Sequence, residues 1–182
     1  SFSRPEDIST NPSNPRQAVL ASTGREQNFP SDKWGTVYII DVNFNDLNNI
    51  KGNIKIAYAG DDAGNGQFQG PDYGLRSCDN LDWADNGLVY IQEDRSVTGF
   101  GQASGQEASV WEMNPTTGKL KRIAQIDRTA VPAGQNDTAP TDLGNWESSG
   151  ILDVSSLFGV NDKVLLVAVT QAHSVSGGPI TS

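Results

Sequence analysis

The chain holds a single cysteine, Cys78, in 182 residues. No intrachain disulfide can form, and neither a zinc ribbon nor a CxxC redox motif is possible. Long apolar runs are also missing. No stretch approaches the roughly 18 to 20 residues that span a bilayer, and Ser1-Phe2-Ser3-Arg4-Pro5 has no signal-peptide pattern. Basic residues are sparse, 13 against 22 acidic ones for a formal net charge of -9, and no Lys or Arg block occurs. A nucleic-acid backbone or an anionic membrane would be repelled on average. The GxSxG elbow, the Walker loop, HExxH and a GxGxxG after a strand are all absent. Nothing in the sequence therefore points to a serine hydrolase, a P-loop nucleotidase, a zincin or a dinucleotide enzyme.

What remains is a turn-rich composition with 19 glycines, 9 prolines and little of the Ala/Leu/Glu/Lys mixture of helical proteins. Period-2 runs of β-branched and aromatic residues mark strands at Thr36–Val42, Ile54–Tyr58 and Leu88–Gln92. Asn86-Gly87 and Pro115-Thr116-Thr117-Gly118 supply hairpin turns. Val154–Phe158 alone hints at a short helical turn. The expectation is an all-β fold.

Recurrence sharpens it. Acidic segments at Arg4–Ile8, Ser77–Leu81 and Trp146–Ile151 each precede a strand, and two of these strands end in polar or acidic residues, Glu93-Asp94 and Thr170–His173. Glu6 and Asp79 are 73 positions apart, Asp79 and Glu147 68. This predicts about three sequential β-propeller-like blades over 1–182, with repeat units near 1–70, 71–135 and 136–182, the last incomplete. Three blades cannot close a ring, so the expectation includes a larger propeller, completed by the same parent chain or another polypeptide.

In a propeller, loop residues repeated at the start of each blade lie near one axis. Glu6, Asp7, Asp79, Glu93, Asp94 and Glu147 are then candidates for a calcium site, since hard cations take six to eight oxygen ligands. The alternative is that Glu6, Asp79 and Glu147 cap turns through backbone amides. Asp61–Gly66 resembles a calcium loop, but Ala63 stands at the third ligand position and no glutamate follows at the twelfth, so it reads as a turn. His173, the sole histidine, ends an apolar strand as Glu93 and Asp94 do, and is either structural or an acid/base group. Arg4 and Arg95 flank the acids and either clamp a phosphate or neutralise their neighbours. Asn136-Asp137-Thr138 fits a glycosylation sequon.

The segments Arg4-Pro5-Glu6-Asp7-Ile8, Cys78–Leu81, Tyr90–Asp94, Trp146–Asp153 and Gln171–Ser174, taken in order, resemble the C-terminal half of the PhoX-type secreted alkaline phosphatases of bacteria. That resemblance implies a β-propeller with calcium and iron at the mouth of its channel, hydrolysing phosphate esters in the periplasm or outside the cell. Glu6 and Asp79 resemble its acidic metal ligands, with Glu93 and Asp94 as neighbouring candidates and Glu147 and His173 in matching segments. The family's cysteine ligand has no counterpart that Cys78 can be assumed to replace. Two functions follow as expectations: a metal-dependent phosphoesterase, or part of one, in which His173 or Arg95 meets the substrate; and a non-catalytic, calcium-stabilised propeller module that binds partners.

Overall fold

A computed structural model describes residues 2–27 and 32–178. The fold is mostly β. The first sheet is an antiparallel meander of β1 (Pro5–Thr10), β2 (Gln17–Ser22), β3 (Thr36–Asn43) and β4 (Lys51–Ala59). The second repeats that order with β5 (Cys78–Trp83), β6 (Val89–Glu93), β7 (Ser109–Met113) and β8 (Leu120–Gln125). After a two-residue strand β9 (Asn136–Asp137), β10 (Trp146–Asp153) pairs with β11 (Leu166–Ala172) as a third, two-stranded sheet. A short β12 (Val175–Ser176) returns to β9. Helical structure is limited to short turns, one of them at Ser156–Phe158 inside the segment where the sequence hints at it. No helix among the described residues is long and apolar enough to cross a membrane.

The sheets stand in a row because alternation gives each an apolar face. Val19, Ala21, Val37, Ile39 and Tyr58 of the first sheet meet Cys78, Leu81, Trp83, Val89, Ile91, Trp111 and Met113 of the second in one continuous core. Each fully buried Val, Ile or Met there stabilises the fold by roughly 1.5–3 kcal/mol. Phe68, in the loop between the sheets, closes this core edge-on against Tyr58 and Trp111, at centroid distances of 6.4 and 5.5 Å. The second and third sheets share a smaller cluster around Ala84, Tyr90 and Ile151. Among the described residues the row does not close on itself.

Side chains of the inner strands stitch neighbouring sheets together. The Leu81 amide donates to Asp7 Oδ2 at 2.9 Å and the Trp83 amide to Ser9 Oγ at 3.0 Å, joining β1 to β5. The Gly150 amide donates to Asn80 Oδ1 at 2.9 Å and the Asp153 amide to Asp82 Oδ2 at 2.7 Å, joining β5 to β10 in the same way. These bonds satisfy alternate backbone donors on the outward edges of β5 and β10, which the ladders of their own sheets leave free.

Two expectations need correction here. The acidic segments are read from sequence as loops before strands, yet Glu6, Asp79 and Glu147 lie within β1, β5 and β10 themselves. Polar inner positions and bulges hide the alternation that would have marked those strands. The Asp61–Gly66 turn is also more specific than a generic turn. Ala63, Gly64, Asn65 and Gly66 all have positive φ, while the Asp62 carboxylate accepts from the Asn65 amide at 2.7 Å and Asp61 from the Lys33 amide at 2.7 Å.

Candidate metal centre

The geometry of the candidate site follows from one repeated hairpin. At its open end Pro5 pairs with Ser22, Cys78 with Glu93 and Trp146 with Ala172. The acid comes one residue later on the first strand: Glu6, Asp79 and Glu147. In β1 and β5 that residue falls in the bulge, which turns its side chain off the ladder. The residue after the second strand is Thr23, Asp94 or His173. In the first two sheets its amide donates to the residue before the first strand, Thr23 to Arg4 O at 2.9 Å and Asp94 to Ser77 O at 3.0 Å. Each hairpin thus offers one acid and one further polar side chain at the same end of the row.

These side chains converge. Thr23 Oγ1 donates to Asp79 Oδ1 at 2.9 Å, and Arg4 Nε donates to Glu6 Oε1 at 2.7 Å while its Nη2 lies 3.5 Å from Asp94 Oδ2. Glu147 lies close enough to Asp94 for its charge to act on that carboxyl. His173 Nε2 stands 3.4 Å from Glu147 Oε2. Partial burial, then the charges of Glu147 and Asp79, push the Asp94 carboxyl up to about 7, against the pull of Arg4. Asp79 is raised for the same first reason, opposed by its bond from Thr23.

The other candidates go elsewhere. Glu93 is one residue from Asp94 but points to the opposite face, where it is fully buried. Arg76 meets it there with Nη2 on Oε2 at 2.9 Å and Nε on Oε1 at 3.1 Å. Arg76 also holds Asp72 at 3.0 Å and lies over the Phe100 ring. Burial opposes ionisation of Asp72, but amides of Ser104 and Gly101 and the Arg76 guanidinium outweigh it and keep its carboxyl below the ordinary value. Asp7 caps the Leu81 amide. Arg95 binds Asp142 Oδ2 at 3.2 Å and Leu143 O at 2.7 Å, so its guanidinium is committed to the loop before β10. Cys78 is buried with Sγ directed at Ser22 O, and burial raises its thiol.

Glu6, Asp79 and Glu147 accept no backbone amide among the described residues; that task falls to Asp7, Asn80 and Asp82. Glu6 and Asp94 meet the Arg4 guanidinium, and Asp79 and Glu147 lie near them, so the hairpin ends form an acidic cluster. Among the described residues no three His, Cys, Asp or Glu groups form a ready-made metal cage, and Arg4 partly fills the cationic role. A thiolate-held iron does not fit these residues, because the only thiol is buried between strands. Thr23, on Asp79, and Arg76, which holds Glu93 on the opposite face, are not among the residues the sequence singles out. The signal for Thr23 was its place after β2, matching Asp94 after β6.

No family model matches the chain, and no curated protein matches it. Among solved structures, PhoX of Pseudomonas fluorescens in complex with vanadate, a transition state analogue, matches with a TM-score of 0.52 at 15% identity over 82% of this chain. The match covers 27% of that protein's chain, so the present chain spans about a quarter of it. The fold is therefore similar to part of PhoX, in keeping with the resemblance carried by the sequence segments.

Proposed function

We propose that this chain is part of a metal-dependent phosphoesterase of the PhoX type, in which Glu6, Asp79, Asp94 and Glu147 hold calcium. The convergence of these four carboxylates from three successive hairpins is the observation that carries the reading. The sheets are then blades of a larger propeller, with repeat units near 1–70, 71–135 and 136–182. The match covers 27% of PhoX, and on this reading further ligands and blades come from the same parent chain or another polypeptide. A phosphate-ester substrate and a place in the periplasm or outside the cell belong to the same proposal.

When bound, calcium neutralises charge on a phosphate ester and on its transition state. The chain's own groups prepare the centre. Asp94, raised by burial and by the charges of Glu147 and Asp79, would hold a proton in the metal-free centre and give it up to a bound cation. Arg4, with one nitrogen on Glu6 and another facing Asp94, would offer donors to a phosphate oxygen. His173, half-exposed and 3.4 Å from Glu147, would then be the group that gives a proton to a leaving oxygen. Arg95 takes no part, being held by Asp142.

Calcium titration by calorimetry, together with hydrolysis of a chromogenic phosphomonoester, tests this. Binding that the double substitution Glu6→Gln/Asp79→Asn abolishes supports the site. Turnover by the isolated chain is expected to be slight, and calcium-dependent turnover would favour the enzyme over a calcium-stabilised binding module. An absence of calcium binding sinks the metal reading.

A further inference from the structure

The first and second hairpins are joined near the acid centre by two serines. Ser77 precedes β5 and is fully buried, with φ at +47°. That left-handed conformation suits glycine, and most positive-φ positions among the described residues hold one. A serine is strained there where glycine would not be, and strain of this kind directs attention to what the side chain holds.

It holds the end of the second hairpin to the end of the first. Ser96 lies two residues beyond Asp94. Its amide donates to Ser77 Oγ at 3.2 Å, the two hydroxyl oxygens are 3.0 Å apart, and Ser96 Oγ donates to Thr23 O at 3.1 Å. A carbonyl oxygen only accepts, so the Ser96 hydroxyl proton is committed to Thr23, and the proton between the two hydroxyls is Ser77's. The Ser77 backbone is bonded as well. Its amide donates to Trp34 O at 2.6 Å, in the loop before β3, and its carbonyl accepts from the Asp94 amide at 3.0 Å. Thr23 in turn places its hydroxyl on Asp79 and its amide on Arg4 O. Asp79, Asp94 and Arg4, which holds Glu6, are each one or two hydrogen bonds away from this serine pair.

We infer that Ser77 and Ser96 are positioning residues, whose hydroxyls lock the first hairpin to the second so that Glu6, Asp79 and Asp94 present their oxygens together. The assignment rests on the reading of that centre as a calcium site. Both serines act through Thr23 and Asp94 and not by contact with the ion. Calcium takes its oxygens at about 2.3–2.6 Å, so a small slip of one hairpin against the other costs affinity.

Ser77→Gly separates this role from a structural one, because glycine relieves the left-handed strain while removing the hydroxyl. Its melting temperature should stay within about 3 °C of the unsubstituted chain. Its calcium affinity, read by calorimetry, should fall about tenfold or more, as loss of a group that orients metal ligands does. Ser96→Ala should lower affinity likewise, and Ser96→Thr, which keeps the hydroxyl, should hold it to within about twofold. Hydrogen exchange reads the same lock without calcium. The Thr23 and Asp94 amides should exchange about tenfold faster in Ser77→Gly and Ser96→Ala, with those of Val37 and Ile91 unchanged. Unchanged exchange at Thr23 and Asp94 overturns the inference. So does unchanged calcium affinity in Ser77→Gly, an equal loss in Ser96→Thr, or a fall in the Ser77→Gly melting temperature well beyond 3 °C. If the unsubstituted chain binds no calcium, the calcium reading fails by itself, and the exchange result decides whether the serines lock the hairpins.

Discussion

The interface between the first and second sheets differs from that between the second and third. The former joins four strands to four through a continuous apolar core containing Val37, Ile39, Trp111 and Met113. The latter joins four to two, with a small cluster at one end and open clefts along the rest. The stitching between inner strands is nevertheless the same in both, Asp7 and Ser9 on one side of β5 and Asn80 and Asp82 on the other. Inner-strand register and outer-sheet packing are thus separate contributions. The inner strands place the acid centre, and the outer strands supply most of the apolar burial.

Several substitutions break or sharpen that contrast. The largest effect is expected at Arg76, whose loss strands two buried carboxylates behind the second sheet. Arg76→Met should destabilise the chain by about 3–5 kcal/mol in denaturant melts. Next comes the tight interface, where Ile39→Ala should cost about 2–5 kcal/mol through the cavity it leaves. Calcium near a hundredfold above its dissociation constant should stabilise the folded chain by about 2.7 kcal/mol, an effect lost in Glu147→Gln, and thermal melts with and without chelator read it. On the second sheet's face toward the third, Val110→Ala should cost about 1 kcal/mol or less, since that side chain is only half-buried against the small Ala84–Tyr90–Ile151 cluster. An equal cost at Val110 and Ile39 would erase the distinction between the interfaces.

Acidity gives a further handle on the centre. The folded Asp94 carboxyl titrates near 7, well above the ordinary value of 3.8, so between those limits the folded state holds a proton that the unfolded chain has released. Without calcium, this group's contribution to stability is present below about pH 4 and declines as pH rises toward 7. Calcium affinity should rise over the same window, because the ion takes the place of the proton. Asp94→Asn should flatten both trends, as melts and calorimetry across that range would record.

Much of the β architecture was legible in the chain. Thr36–Val42, Leu88–Gln92 and the hairpin through Pro115–Gly118 are strands and turns whose apolar, β-branched and aromatic runs mark them in the sequence. Strands β1, β5 and β10 were not legible as strands, because PEDIST, CDNLDW and WESSGILD devote inward positions to polar side chains that bond across sheets. Ion pairs between distant positions were equally hidden. Arg76 and Glu93 are 17 residues apart and Arg95 and Asp142 47, and nothing local announces either pairing.

By itself, then, the sequence determined a β-rich, acidic chain without disulfides, with an acid recurring at the start of each unit. Only the tertiary structure decided which of two adjacent carboxylates serves the centre. Glu6 rather than Asp7, and Asp94 rather than Glu93, face the shared end of the hairpins. The physical reason is the two-residue period of a strand, in which a shift of one position, or a single bulge, carries a side chain to the opposite face.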